Sequence, residues 1–363
     1  MKTTIDGTAL VYADGGFNTP SGKTAHGLVR FTERYEVVGV LDHTYAGQDA
    51  GMVLDGKSNN IPIFKDLNEA FAQLPAAAKP KSLVIGLAPD GGRLPAEAKQ
   101  TVRAALELGM NVDCGLHDFL SEDSELMAIA KRKRCRVRDV RKTPEIDELH
   151  FFTGKIEQVN CLKIALLGTD SAVGKRTTAW LIVQAFRKAG LKAEMVGTGQ
   201  TAWLQGAKYG MIMDSCINDF VSGEIEHAVY EAWKNESPDL LVIEGQGSLM
   251  NPAYPGGFEI LAAGRPDYVI VQHAPKRIEY DGFPGYALHP IKEQIHAIEM
   301  ISGKKVIAIT VNHEDLTKEE ILPACAKLTE QTGLPAFDVL EMGAEELVTL
   351  LKTFLKGSTQ SLV

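Results

Sequence analysis

The sequence lacks any long apolar run. No stretch of its 363 residues approaches the roughly 18 apolar residues of a transmembrane helix, and the first residues, MKTTIDGTALVYADG, contain no apolar signal core. Its five cysteines are scattered without a C-x-x-C pair, which argues against both a zinc site and a disulfide framework. We therefore expect a cytoplasmic protein with reduced thiols and no membrane partner.

Basic residues are fewer than acidic residues. The chain has 38 lysines and arginines against 47 aspartates and glutamates, which gives a formal net charge of −9. This balance argues against a nucleic-acid surface, because nucleic-acid phosphates are bound by basic patches. We expect small-molecule ligands and no nucleic-acid partner.

A G-x-G-x-x-G motif is missing from the first half, although the pattern there otherwise indicates a Rossmann-like fold. Apolar strands are predicted at 8–13, 36–41, 61–64, 83–88, 111–115 and 135–140, with helical patterns between most of them. Such alternation is typical of a parallel sheet. Without the glycine motif a nicotinamide cofactor is poorly supported, so an oxidoreductase ranks last among the functions considered. Polar candidates at the strand ends include Asp14, Asp42 and Arg93.

The most informative stretch is residues 164–178, IALLGTDSAVGKRTT. An apolar strand ends at Gly168, a short polar loop follows, and Gly174 and Lys175 open an amphipathic helix. This order predicts a phosphate-binding P-loop, in which backbone amides, the positive end of the helix and the lysine charge hold an anion. Five residues separate the two glycines, one more than in the common pattern. The predicted cofactor-binding residues here are Gly168, Thr169, Asp170, Ser171, Ala172, Val173, Gly174, Lys175, Arg176 and Thr177.

Arg176 occupies the position at which a nucleotide hydrolase has a Ser or Thr hydroxyl that binds Mg²⁺. The hydroxyl of Thr177 does not take over the binding of Mg²⁺ without a shift, because a helix turns about 100° per residue and the Thr177 side chain would point in another direction. The loop keeps its phosphate-binding parts and has lost a magnesium ligand. This favours holding a phosphate-bearing cofactor over cleaving one, and we expect no tightly bound metal.

The length of the chain suits two domains, and the polar segment 143–160, which contains Pro144, is typical of a connection between them. We predict an α/β protein with an N-terminal Rossmann-like parallel-sheet domain at residues 1–155. A C-terminal P-loop NTPase-like parallel-sheet domain is predicted at 156–363. Functional atoms should lie at the carboxyl ends of the strands in such sheets.

Three residues of the second half are candidates for catalysis. Glu244 ends the apolar strand LLVIE, as a Walker-B acid would, and can act as a general base or a metal ligand. Asp214 belongs to an acidic segment that also fits a hydrophilic helix face. His273 follows the strand DYVIVQ and is equally well explained as a satisfied histidine at a sheet edge.

Two further segments offer substrate contacts. The turn GTGQT presents Gly199, Gln200 and Thr201, although a plain turn explains its glycines nearly as well. Lys276 and Arg277 form a positive pair suited to carboxylates or phosphates.

The motifs carry two resemblances. The first is to dethiobiotin synthetase and its relatives, which the chain resembles in GTD at the start of the P-loop, VGK at its end and the later EGQG. In that group, the residue at the position of Asn312 contacts adenine. The resemblance therefore makes Asn312 a candidate base contact. The second resemblance covers nearly the whole chain. The chain resembles a two-domain bacterial family formerly known as a domain of unknown function and associated with D-glutamate N-acetyltransferases. The matching segments are DGGF, GKTAHGL, VVGVLD and AGQDAG in the first half and GTDSAVGKRTT, GTGQT, VIEGQG, HAPKR and YDGFP in the second.

The second resemblance implies an N-acetyltransferase with acetyl-CoA as donor and the amino group of D-glutamate as acceptor. It agrees with the residues, since coenzyme A has phosphates and an adenine but no γ-phosphate to transfer. An ATP-dependent ligase or kinase of the dethiobiotin synthetase type and a non-catalytic nucleotide-binding protein remain alternatives. A homo-oligomer is the usual state of such bacterial enzymes, and we expect one here.

Overall fold

The computed structural model describes residues 4–355. The chain divides into two compact units. The first extends to Thr143 and also contains Gln200–Ala207, and the second consists of Pro144–Gly199 and the chain from Lys208 onward. Among the described helices, none is both long enough and apolar enough to cross a membrane.

The first unit is a parallel sheet covered by helices. Its strands are β1 Gly7–Tyr12, β2 Tyr35–Leu41, β3 Ile63–Phe64, β4 Ser82–Ile85, β5 Asn111–Cys114 and β6 Val137–Asp139. Its helices are α1 Lys23–Arg30, α2 Ala50–Asp55, α3 Leu67–Gln73, α4 Ala96–Glu107 and α5 Ser124–Lys133. The strand order β3-β2-β1-β4-β5-β6, with every pairing parallel, is that of the Rossmann fold.

The second half of the sequence forms a second parallel sheet, in the order β13-β12-β11-β7-β10-β8-β9. Its strands are β7 Leu162–Gly168, β8 Ala193–Gly197, β9 Tyr209–Gly210, β10 Leu240–Glu244, β11 Tyr268–His273, β12 Val306–Val311 and β13 Ala336–Phe337. The helices are α6 Lys175–Lys188, α7 Gln200–Gln205, α8 Asn218–Glu236, α9 Phe258–Ala263, α10 Ile291–Ser302, α11 Lys318–Thr332 and α12 Glu345–Lys352.

Short 3-10 helices supplement these elements in the connections. They lie at Pro20–Gly22, Ala76–Ala78, Asp90–Gly92, Leu120–Glu122, Ile146–Glu148, Lys155–Gln158 and Met213–Ser215.

Burial explains why β7 is the centre of the second sheet. All seven of its residues are buried, and it pairs with β10 on one side and β11 on the other. A continuous apolar run is the pattern expected of a parallel strand with helices on both faces. The helix that follows, α6, buries a stripe that includes Ala179, Ile182, Val183 and Phe186. The apolar pattern of this segment therefore positions the polar loop between β7 and α6 at the carboxyl edge of the sheet.

Helix α7 comes from the second half of the sequence but belongs to the first unit. The hydroxyl of Thr201 is 2.8 Å from that of Thr24, and both residues are buried. The side-chain amide of Gln205 donates to the carbonyl oxygens of Gly27 and Phe31, at 2.8 and 2.7 Å. These contacts make α7 part of the packing around α1.

Candidate active site

The loop between β7 and α6 has the backbone shape of an anion-binding P-loop. Ala172 and Gly174 both have positive φ, +51° and +98°, and Gly174 is the N-cap of α6. At Gly168, a Cβ would come within 3.0 Å of side-chain atoms of Val173 and Lys175, so a glycine here lets the loop fold closely over the end of the strand. The first amides of a helix have no partner within the helix, and α6 therefore presents donors to an anion at the loop.

The ammonium of Lys175 lies at the mouth of this loop. Its Nζ donates to the carbonyl oxygen of Asp170 at 2.7 Å and to that of Gly247 at 2.8 Å, and the side chain is buried. Carbonyl oxygens thus hold the charge in place. Binding of a phosphate oxygen by Lys175 stays a prediction.

The carboxylate of Asp170 stabilises the P-loop through hydrogen bonds. It is fully buried, and its Oδ1 accepts bonds from the amide of Ser171 at 2.7 Å and from Nδ2 of Asn251 at 2.8 Å. Its Oδ2 accepts from the guanidinium of Arg277 at 2.9 Å and from the amide of Asp281 at 2.8 Å. Because both oxygens are engaged in this way, the structure shows Asp170 shaping the P-loop; direct contact with a cofactor stays a prediction.

The predicted positive pair at the end of β11 is bound to the protein's own groups. Arg277 also donates to the carbonyl oxygen of Ser171 at 2.7 Å and pairs with Glu314 at 2.5 Å. Burial opposes the charge of its guanidinium, but the carboxylates of Glu314 and Asp170 outweigh burial and raise its pKa. Lys276 is exposed and lies 2.9 Å from both carboxylate oxygens of Glu320. A substrate carboxylate would have to compete with these partners.

Asn312, the candidate base contact, also supports the loop. Its Nδ2 donates to the carbonyl oxygen of Val173 at 3.0 Å, and its Oδ1 accepts from the amide of Glu314 at 3.1 Å. Both ends of the side-chain amide are therefore engaged within the second unit. Recognition of adenine by Asn312 stays a prediction.

Glu244 lies at the same edge, at the end of β10. It pairs with Leu166 in the sheet register, two residues before Gly168, and is 4% exposed. Its Oε2 accepts a bond from the amide of Thr198 at 2.9 Å. Burial raises the pKa of Glu244, although the charges of Arg176 and Lys175 and the amides of Thr198 and Gly199 oppose that shift. A carboxyl group with a raised pKa beside a P-loop is suited to proton transfer near neutral pH.

His273 is buried at the end of β11, with its Nδ1 3.0 Å from the hydroxyl of Thr169. Burial, assisted by the charge of Arg277, lowers the pKa of His273 to about 4. The imidazole is therefore neutral at pH 7. It can accept a proton only weakly, which makes it a poorer base than a carboxylate with a raised pKa.

The remaining candidates lie in the segment after β8. Gly199 is near the side-chain amide of Gln246, and a Cβ there would be 2.8 Å from Nε2. Asp214 is exposed in the 3-10 helix Met213–Ser215, whose first amide donates to the carbonyl oxygen of Thr198 at 3.0 Å. Gln200 and Thr201 are in α7, within the first unit.

Three residues of the site were missed by the sequence analysis. Asn251 links the loop after β10 to Asp170, and Gln272 accepts hydroxyl bonds from Thr178 and Thr310 at 2.7 and 2.6 Å. Ser248 lies next to the carbonyl group that Lys175 contacts. The strand patterns place all three near the sheet edge, but no motif distinguishes them from other polar residues.

The polar candidates of the first unit have local partners. Asp42 is fully buried and accepts bonds from the amides of Phe17 and Thr44 at 3.1 and 2.8 Å. Asp14 pairs with His43, and Arg93 pairs with Asp118. The acid that follows β2 thus stabilises loops of its own unit, which gives no support to a nicotinamide site.

A cleft of about 530 Å³ opens in the first unit, where β1 and β2 end. Its charged lining consists of Asp14, Lys65, Asp66, Glu97 and Glu107. An excess of carboxylates repels phosphate groups. The P-loop of the second unit is the better site for a phosphate-bearing ligand. Within residues 4–355, no three His, Cys, Asp or Glu side chains are grouped as metal ligands.

Two models of one protein family match the two halves of the chain. The chain matches the P-loop domain of a family described as a domain of unknown function, DUF1611, over residues 150–348, and the Rossmann-like N-terminal domain of that family over residues 43–143. The predicted α/β class, with a Rossmann-like domain followed by a P-loop domain, is confirmed.

Named relatives and a solved structure cover most of the chain. It is 32% identical over 291 residues to a D-glutamate N-acetyltransferase of Tritonibacter scottomollicae, covering 78% of this chain and 85% of the relative. It is 28% identical over 300 residues to a D-glutamate N-acetyltransferase of a Pseudoalteromonas species, covering 81% and 88%. The crystal structure of a DUF1611 family protein from Anabaena variabilis superposes with a TM-score of 0.87 and 29% identity, over 95% of this chain and 99% of that one. The family resemblance noted in the sequence is confirmed.

Proposed function

The chain belongs to the DUF1611 family, and on that premise we propose that it is an N-acetyltransferase that moves the acetyl group of acetyl-CoA to the amino group of D-glutamate. Two relatives that match about four-fifths of the chain have this name. The observation that carries the proposal is a P-loop that keeps its glycines and Lys175 but has Arg176 in place of the magnesium-binding hydroxyl.

The residues around the loop fit the phosphates of coenzyme A. A side chain at Gly168 would crowd Val173 and Lys175, the first turn of α6 offers backbone donors, and the carbonyl oxygens of Asp170 and Gly247 hold the ammonium of Lys175 at the loop. We assign the pyrophosphate to these groups. Coenzyme A has no γ-phosphate to transfer, so this reaction does not require the Mg²⁺-binding hydroxyl that Arg176 replaces.

The transfer requires a base because the amino group of glutamate is protonated at neutral pH. The nitrogen must lose a proton before it forms a bond to the acetyl carbonyl carbon; the carbon–sulfur bond then breaks and the thiolate of coenzyme A leaves. We assign the proton to Glu244, whose raised pKa brings it closer to the working pH. Asp214 and His273 are the alternative bases, and His273 is a weak one because burial lowers its pKa to about 4.

The acceptor is assigned to the groups that follow β8 and β11. Gly199 is proposed to contact the amino acid, and Lys276 and Arg277 to hold its carboxylates; contacts of Gln200 and Thr201 with the substrate stay predictions. Of the two cations, Lys276 is the easier to recruit. Its pair with Glu320 is exposed and therefore weak, whereas Arg277 is held by the buried Asp170.

The proposal is tested by incubating the purified protein with acetyl-CoA and either D- or L-glutamate, with and without EDTA, and analysing the products by mass spectrometry. We expect N-acetyl-D-glutamate in amounts that EDTA does not reduce. A matched pair of variants, Lys175→Ala and Lys188→Ala, separates loss of phosphate binding from loss of an exposed charge at the other end of α6.

Two other results would replace the proposal. Absence of any acetylated product together with magnesium-dependent release of ADP from ATP would identify a ligase or kinase. Binding of a nucleotide without any product from acyl donors would identify a nucleotide-binding protein.

A further inference from the structure

The loop that follows β10, residues 245–257, is folded tightly on itself. The amide of Ser248 donates to the carbonyl oxygen of Tyr254 at 3.2 Å, and Oδ1 of Asn251 accepts from the amides of Ala253 and Tyr254 at 2.9 and 2.8 Å. Gly247 has a φ of +50°, and a Cβ there would collide with the carbonyl oxygen of Tyr254. These contacts define the backbone conformation of the loop and hold the side chain of Asn251.

Two contacts tie this loop to the P-loop, one on each side of Ser248. The ammonium of Lys175 donates to the carbonyl oxygen of Gly247 at 2.8 Å, and Asn251 donates to Asp170 at 2.8 Å. The carbonyl carbon of Gly247 is bonded to the nitrogen of Ser248. Standard peptide geometry therefore puts that nitrogen within about 5 Å of the ammonium.

The hydroxyl of Ser248 is buried without a hydrogen-bond partner among the residues that the structure describes. The residue is 3% exposed. A buried hydroxyl without a partner costs folding free energy, and in native proteins such a group calls for a specific reason. The contacts of Gly247 and Asn251 place the P-loop beside this residue.

We propose that the hydroxyl of Ser248 binds phosphate, donating a hydrogen bond to a phosphate oxygen of the ligand beside the ammonium of Lys175. The usual P-loop hydroxyl, at the position of Arg176, binds Mg²⁺, whereas Ser248 presents a hydroxyl to the phosphate itself from a different segment of the chain. The inference rests on the proposed function only for the identity of the ligand, coenzyme A.

Ser82 provides a matched control. It is also a buried serine whose hydroxyl has no hydrogen-bond partner in the described part of the chain, but it lies in β4 of the first unit. Ser248→Ala and Ser82→Ala therefore remove the same chemical group from equally buried positions. Only the first of these positions is tied to the P-loop.

The experiment measures thermal unfolding of the ligand-free variants and the dissociation constants of coenzyme A, acetyl-CoA and ADP by calorimetry. We expect both variants to unfold at or above the wild-type temperature. Ser248→Ala should weaken binding of each phosphate ligand that the wild type binds by about 10- to 100-fold, the range for a hydrogen bond to a charged group. Ser248→Cys, which keeps the shape and a weak donor, should have an intermediate effect, and Ser82→Ala should bind like the wild type.

The possible failures are distinguishable. Unchanged dissociation constants in Ser248→Ala would overturn the role of Ser248, as would a lower unfolding temperature that Ser82→Ala does not share. If the wild type binds ADP but not coenzyme A, the proposed function fails, while the effect of Ser248→Ala on ADP still decides the role of the hydroxyl. If the wild type binds none of the three, both proposals are wrong.

Discussion

The guanidinium of Arg277 and the carboxylate of Asp170 form an ion pair of 2.9 Å in which Asp170 is fully buried and the Arg277 side chain is 10% exposed. One partner belongs to the P-loop and the other follows β11. Since Arg277 also binds the carbonyl oxygen of Ser171, it holds the loop at two points. The pair links the shape of the phosphate site to the segment that follows the neighbouring strand.

Loss of this pair should destabilise the protein strongly. Arg277→Met leaves the Asp170 charge buried without its cation, and we expect a loss of unfolding free energy of about 3–5 kcal/mol in urea titrations. Lys276→Met is the control, because its pair with Glu320 is exposed and its removal should leave the urea midpoint unchanged. Equal midpoints for the two variants would show that the buried pair does not stabilise the loop.

Glu244→Gln should abolish most of the proposed base catalysis. The amide keeps the shape of the side chain but accepts no proton, so turnover should fall on the order of 10²- to 10⁴-fold. In the wild type, turnover should rise with pH through the pKa of Glu244, which lies above its ordinary value of 4.5. This rise of turnover with pH should be missing in Glu244→Gln.

Glu194 offers a control for that experiment. Burial raises its pKa as well, but it lies within β8 and pairs with Arg187 at 2.8 Å. Glu194→Gln should keep both the turnover number and the pH profile. Turnover of Glu244→Gln within a few-fold of the wild type would transfer the role of base to Asp214 or His273.

His273 should make stability depend on pH in mildly acidic solution. Its pKa is about 4 when folded and 6.5 when unfolded, so the unfolded chain binds more protons between these values. Its contribution to stability is complete above pH 6.5 and is lost as the pH falls toward 4. We expect a loss of about 2 kcal/mol between pH 7.5 and pH 5 that is missing in His273→Gln. Urea unfolding at the two values measures this, with the exposed His296→Gln as control; an identical loss in His273→Gln would contradict the assignment.

The hydroxyls of Thr24 and Thr201 provide a double-mutant cycle for the anchoring of α7. Thr201→Val leaves the Thr24 hydroxyl buried without its partner and should cost on the order of 1–3 kcal/mol of unfolding free energy. The double variant Thr24→Val with Thr201→Val should recover much of that loss. Strictly additive losses would show that the two hydroxyls do not interact.

Strand patterns carried most of the fold prediction. Continuous apolar runs such as Ile164–Leu167 and Leu240–Ile243 have one stable location, the interior of a parallel sheet, so both sheets and the edge that presents Glu244 could be predicted. Short elements were missed. Helix α2 lies between the predicted strands 36–41 and 61–64, and its bounds and its N-cap Asp49 were not predicted.

Side-chain partners in the site could not be predicted in the same way. Arg277 was predicted to face a substrate carboxylate, yet its side chain lies against Asp170 and Glu314. Periodicity determines which residues reach the sheet edge, but partners there depend on loop conformations set by contacts distant in sequence. Asn251 is an example, since it is 81 residues from the Asp170 carboxylate that it binds.

The membership of α7 in the first unit limits how this protein can be divided or recombined. A gene truncated at the codon for Thr143 would encode a first unit without the helix that satisfies the carbonyl groups of Gly27 and Phe31. The same six-residue helix directly follows the turn containing Thr198, whose amide binds Glu244. The two halves of the sequence are therefore not interchangeable modules, and a functional chimera must inherit residues 200–207 together with the N-terminal half that they complete.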